Sequence, residues 1–77
     1  YAMPILWRDQ FIGRIDPVLS KKDQRLTIRL LQIEPHIRIT ATLMNHFNKT
    51  IKSFAKRHGA KEIIIERTEP AELKLEY

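Results

Sequence analysis

The chain reads as α+β: a strongly twisted antiparallel sheet, or a small open barrel, with one long helix packed on it, in the order β-β-β-α-β. Three observations carry this reading. Met3–Trp7 and Phe11–Ile15 are apolar runs around the polar Arg8-Asp9-Gln10, the pattern of a β-hairpin. Arg25–Ile33 alternates apolar Leu26, Ile28 and Leu30 with Arg25, Thr27 and Arg29. Leu43, Phe47, Ile51, Phe54, Ala55 and His58 recur at helical spacing.

In the hairpin, a period of two puts Met3, Ile5 and Trp7 on one face of the first strand and Phe11, Gly13 and Ile15 on one face of the second. All six are expected against the core. Glycine inside a strand marks a bulge or a close approach by a backbone or a ring, and Trp7 is the candidate ring. Pro17 has no N–H for a ladder, so it closes the second strand or sits at an edge. Val18–Arg25 is polar at its centre and reads as a loop. In the third strand, Leu31 and Ile33 switch the apolar phase, which predicts a bulge near Leu30-Leu31 or burial on both faces. Glu34-Pro35 ends that strand, and His36–Ile39 fits either a strand extension or a helix approach.

The helix spans about 18 residues, roughly 27 Å. Thr40 or Thr42 caps its start, Lys56, Arg57 and His58 suit its last turn, and Gly59 suits the residue after it. Its polar face carries Asn45, Asn48, Lys49, Lys52, Ser53 and Lys56, which fits a solvated face or a phosphate-facing stripe. Lys61–Thr68 is a fourth strand, and its run of three isoleucines suits a central position. Glu69-Pro70 breaks it. Ala71–Tyr77 fits a fifth strand, a short helix or a frayed end.

Seventy-seven residues make one small domain, read here as an excised C-terminal fragment of a larger protein. With no cysteine there is no disulfide, thiolate nucleophile or thiolate zinc site. There is no apolar run of about 18 residues to cross a membrane and no signal-peptide pattern, so a cytoplasmic location is expected. Charge is uneven: residues 1–61 hold twelve Lys/Arg against four Asp/Glu, whereas residues 62–77 hold two against five. A basic body with an acidic end fits a nucleic-acid partner, and equally a solvated basic surface.

Catalytic patterns are missing. The two glycines, Gly13 and Gly59, form no phosphate loop, and no serine sits in a Gly-x-Ser-x-Gly elbow. His46 and His58 lie about 120° apart around the helix and His36 lies outside it, so no metal site or other cofactor site is expected. Arg14 and Asp16 share a side of the second strand, as an oriented phosphate contact or a plain surface pair. Lys21, Lys22 and Arg25 crowd one turn, where cations suit phosphate oxygens, although a solubilising turn has the same composition. Arg29 is a further candidate for the surface that Arg14 occupies.

The string Tyr1-Ala2-Met3-Pro4-Ile5-Leu6, a four-residue spacer and Phe11-Ile12-Gly13-Arg14-Ile15-Asp16-Pro17 resembles the C-terminal segment of the bacterial winged-helix DNA glycosylases (the YcaQ-like and AlkZ-like proteins), which remove alkylated bases and unhook interstrand crosslinks. Gly59-Ala60, after an amphipathic helix and before a strand, extends the likeness. The resemblance implies a partner in duplex DNA, gripped so that a base can be extruded, and a second partner in the N-terminal domains of the parent chain. In that family the catalytic motif lies in the winged-helix region, as two polar side chains two positions apart such as Gln-x-Gln. Gln10, Gln24 and Gln32 are never so spaced, so no catalytic residue carries over and this segment alone is not expected to be an enzyme. The expected function is a non-catalytic accessory domain that binds DNA backbone phosphates through Arg14, Lys21, Lys22, Arg25 and Arg29. The alternative is a structural or protein-interaction module that braces the parent without touching DNA.

Overall fold

The computed structural model describes residues 3–71 and residue 73. Its elements are β1 (Met3–Trp7), β2 (Gln10–Ser20), β3 (Arg25–Ile33), α1 (Ala41–Arg57), β4 (Glu62–Ile65) and β5 (Thr68–Glu69). The α+β class and the order β-β-β-α-β hold. The sheet runs β1-β2-β3-β4, with β5 pairing β3 beyond β4. β1, β2 and β3 form an antiparallel meander, but β4 and β5 run parallel to β3. The sheet is therefore mixed and open, neither antiparallel throughout nor a barrel. The helix is the reason: α1 returns the chain to the beginning of β3, so the next strand enters in the direction of β3. That placement makes β4 an edge strand rather than a central one, and Ile64 is exposed there.

The β1–β2 turn is Arg8-Asp9, with φ of 52° and 63°. Such left-handed pairs match the twist of the strands they join. β2 is longer than its apolar pattern, running through Pro17 to Ser20 and shrinking the expected loop to Lys21–Gln24. Pro17 is tolerated inside β2 because the register shifts beside it: Asp16 faces Leu30 while Pro17 faces Ile28, leaving Arg29 as the extra residue of a bulge. This bulge is the predicted phase switch. It turns Leu26, Ile28, Leu31 and Ile33 into the same core.

A second bulge corrects the reading of the hairpin. Ile5 faces Gly13 and Leu6 faces Phe11, so Ile12 is the extra residue of β2. Ile12 drops into the core at 1% exposure, whereas Phe11 is 42% exposed beside Leu6 on the outer face of the sheet. Met3 is also exposed. Gly13 is packed against the backbone of β3 and not against Trp7: a Cβ there would collide with the Gln32 carbonyl oxygen and lie 3.1 Å from Ile33 Cα.

α1 begins at Thr40, whose Oγ1 accepts from Leu43 N–H at 3.1 Å. Leu43, Phe47, Ile51 and Ala55 close the core over Ile12, Leu26, Ile28, Leu31 and Ile33. Gly59, at φ 74°, follows the C-cap His58, the left-handed position that favours glycine. His58 itself is exposed, its ring 4.5 Å from Phe54, so the apolar stripe ends at Ala55. Residues 36–39 form a turn and an irregular connection, not a strand. The segment expected as one strand over 61–68 divides into β4 and β5, with Glu66 N–H donating to Ile28 O at 2.8 Å between them. Of the ambiguous end, Leu73 packs against the core; residues 72 and 74–77 lie outside the described residues.

Candidate nucleic-acid interface

No described polar or charged side chain is buried, so every described cation reaches the surface. The β2–β3 turn collects three of the five sequence candidates. Ser20 Oγ accepts from Asp23 N–H at 3.3 Å and donates to the Asp23 carboxylate at 3.1 Å, which shapes the turn. Gln24, at φ 53°, offers its carbonyl to the N–H groups of Lys61 at 2.7 Å and Glu62 at 3.3 Å. The turn is thereby fastened to the beginning of β4. Lys21 and Lys22 are exposed on it. Arg25 donates from Nε to Glu62 Oε1 at 2.5 Å, and this hydrogen bond, with the Glu62 charge, raises its pKa above the ordinary guanidinium value. Arg25 thus keeps its charge but pairs it with Glu62, while Lys21 and Lys22 add positive charge at the tip.

The other two candidates do not join this group. Arg14 faces Pro4 and Gln32, seven residues along β2 from Lys21, roughly 23 Å at strand rise. Arg29 occupies the β3 bulge. The five therefore do not converge on one site.

What the fold adds at the turn comes from the helix end. Lys52, Lys56 and Lys61 line one hollow of about 340 Å³, and the Gln24–Lys61 bond sets that hollow beside the Lys21-Lys22 tip. Part of the signal was in the chain: residues 35–61 contain no Asp or Glu. That Lys61 lies against residue 24 is set by the parallel β3–β4 pairing, which local patterns do not encode.

At the opposite end of the sheet, Arg8, His36 and Arg38 line an open cleft of about 530 Å³ whose wall includes Trp7, Thr40 and Thr42. The Arg8 guanidinium lies 5.2 Å from the Trp7 ring centroid, and the His46 ring packs 4.4 Å from Trp7. Trp7 is thus half-buried at the mouth of this cleft. The outer face of the sheet differs in character, with exposed Leu6, Phe11, Val18 and Ile64.

Among the described residues, no group of three or more His, Cys, Asp or Glu is placed to hold a metal ion, and no helix is long and apolar enough to cross a membrane. Compared with protein-family models, curated proteins and solved structures, the chain has no match.

Proposed function

We propose that this chain is a non-catalytic accessory domain that binds the backbone phosphates of duplex DNA, within a cytoplasmic repair protein of the winged-helix glycosylase kind. The observation that carries the binding is the basic tip: the Gln24 carbonyl holds the Lys21–Lys22 turn against Lys61, so three lysines share one end of the sheet. Fixed lysines at a protruding turn suit phosphate oxygens, which attract charge without demanding base identity. The parentage rests on the likeness of Tyr1–Leu6, Phe11–Pro17 and Gly59-Ala60 to that family.

The test is a salt titration of duplex binding. Affinity should fall steeply with salt. Lys21→Glu with Lys22→Glu should weaken binding and flatten the log–log salt slope by about two, one for each phosphate that no longer meets a lysine. A slope unchanged by the double variant sinks the role of the tip.

A specific observation favours a second reading, an interaction module docked on the other domains of a parent chain. Leu6, at 66% exposed, and Phe11 share the outer face of the sheet, with Val18 and Ile64 also exposed. Apolar side chains grouped on an open sheet face mark a protein contact. The basic tip is at one end of the sheet and the apolar patch is on its outer face, so the two readings are compatible.

A further inference from the structure

We infer that duplex nucleic acid lies along the outer face of α1, from the Arg8–Arg38 cleft to the Lys21–Lys22 tip, and not across the outer face of the sheet. This rests on the DNA-binding reading above and specifies its surface.

The two signs of charge fall in different places. Every Asp and Glu lies outside residues 35–61, whereas that stretch carries Arg38, Lys49, Lys52, Lys56, Arg57 and Lys61. Those 27 residues form the helical layer and its two connections. Among the described residues the fold therefore separates charge, with acidic side chains on the strands and the segments that border them, and only cationic charge on the helix and its two connections.

The cations also share a direction. At 100° per residue, Thr42, Asn45, Lys49, Lys52, Ser53 and Lys56 fall within about 100° of one another around α1. They lie opposite buried Leu43, Phe47 and Ile51, and all six are exposed. Thr42 also lines the cleft that holds Arg8, His36 and Arg38. At the far end, Lys52 and Lys56 share a hollow with Lys61, which is bonded to the Lys21–Lys22 turn through Gln24. A third hollow, beside Lys49 and Arg57, lies along the same helix. Among the described residues, no carboxylate lines any of the three hollows. A polar track thus runs the length of α1, about 25 Å for its 17 residues, with cations at Arg8 and Arg38 beside its N-terminal end, neutral Thr42 and Asn45 along its first half, and Lys49, Lys52 and Lys56 along its second. At 3.4 Å per base pair, that matches roughly seven base pairs of backbone.

The chemistry of the track favours a polyanionic strand over a lipid surface. A helix that beds into a membrane presents apolar side chains at its contact face. Here the outward residues are Thr, Asn, Ser and Lys, which offer hydrogen bonds and point charges to phosphate oxygens. The outer sheet face offers Leu6 and Phe11 beside Arg14, an apolar surface that a phosphate backbone does not complement.

The experiment uses a 16-base-pair DNA duplex and two charge-reversed variants of the 77-residue chain. Lys49→Glu with Lys56→Glu alters exposed helix positions, and circular dichroism checks that the fold persists. It should weaken duplex binding about tenfold or more at low salt, while Arg14→Glu with Arg29→Glu should alter it by less than about threefold. Duplex-induced amide shifts in the wild-type chain should map to residues 36–61 and the 21–24 turn. Duplex binding that survives the helix variant but fails in the sheet variant, or shifts confined to β1 and β2, overturns this surface while leaving DNA binding intact. No duplex binding at low salt overturns both. Binding to phosphatidylserine vesicles through Lys49 and Lys56, without duplex binding, overturns it in favour of a membrane.

Discussion

Gly13→Ala tests the central steric claim of the fold. Gly13 has no left-handed φ, so alanine carries no backbone penalty there; the cost comes from space alone. The new Cβ would overlap the Gln32 carbonyl oxygen, lie 2.9 Å from its carbon and sit 3.1 Å from Ile33 Cα. All three are backbone atoms of a strand buried on its core side at Leu31 and Ile33, so no side chain can rotate away. β2 must move off β3 at the Gly13–Ile33 pair, loosening the ladder and the packing of Ile12 together. Overpacking against mobile side chains costs about 1–3 kcal/mol, and rigid backbone puts this site at or above about 3 kcal/mol. A domain of this length has about 4–12 kcal/mol of stability in total. At about 4–8 °C per kcal/mol, Tm should fall by at least about 12 °C in a thermal melt followed by circular dichroism. Gly59→Ala is the control. It has nothing within 4 Å but φ at 74°, so it meets only the left-handed backbone penalty of about 1–2 kcal/mol. A Gly13→Ala chain that melts within about 3 °C of wild type, or above Gly59→Ala, refutes the close approach of β2 and β3.

The bulge at Ile12 makes adjacent positions differ. Ile12→Ala should cost about 2–4 kcal/mol by urea denaturation and Phe11→Ala under about 1 kcal/mol, since one is buried and the other faces out; equal costs would mean that the hairpin keeps plain alternation. Thr40→Ala removes the acceptor for Leu43 N–H and should cost about 1 kcal/mol, while Thr40→Ser should retain most of it. Substitution of Thr42, the other capping candidate, should leave stability nearly unchanged in the same urea titration, because the cap is one residue before Ala41.

Much of the local structure was written in the chain. The helix was legible because Leu43, Phe47, Ile51 and Ala55 repeat on one face, and Thr40 and Gly59 punctuate its ends by their own hydrogen-bonding and backbone preferences. The hairpin, β3 and its bulge were legible for the same reason: alternation, and its interruption at Leu30-Leu31, are properties of neighbouring residues. The absence of acidic residues between 35 and 61 was equally plain.

What neighbours cannot specify is pairing. The direction of β4 against β3 follows from where α1 delivers the chain, and that depends on the helix packing across the sheet. The placement of Ile12 rather than Phe11 in the core depends on a one-residue slip between β1 and β2, invisible to a period-two pattern. The need for glycine at position 13 arises from Gln32, nineteen residues away in sequence. The distance of Arg14 from Lys21 is local, since one extended stretch separates them, but the arrival of Lys61 beside Lys21 and Lys22 depends on the long-range pairing of β4 with β3. Elements, charge and caps rest on local energies and can be read along the chain. Which cations stand together rests on long-range register, and packing alone sets that.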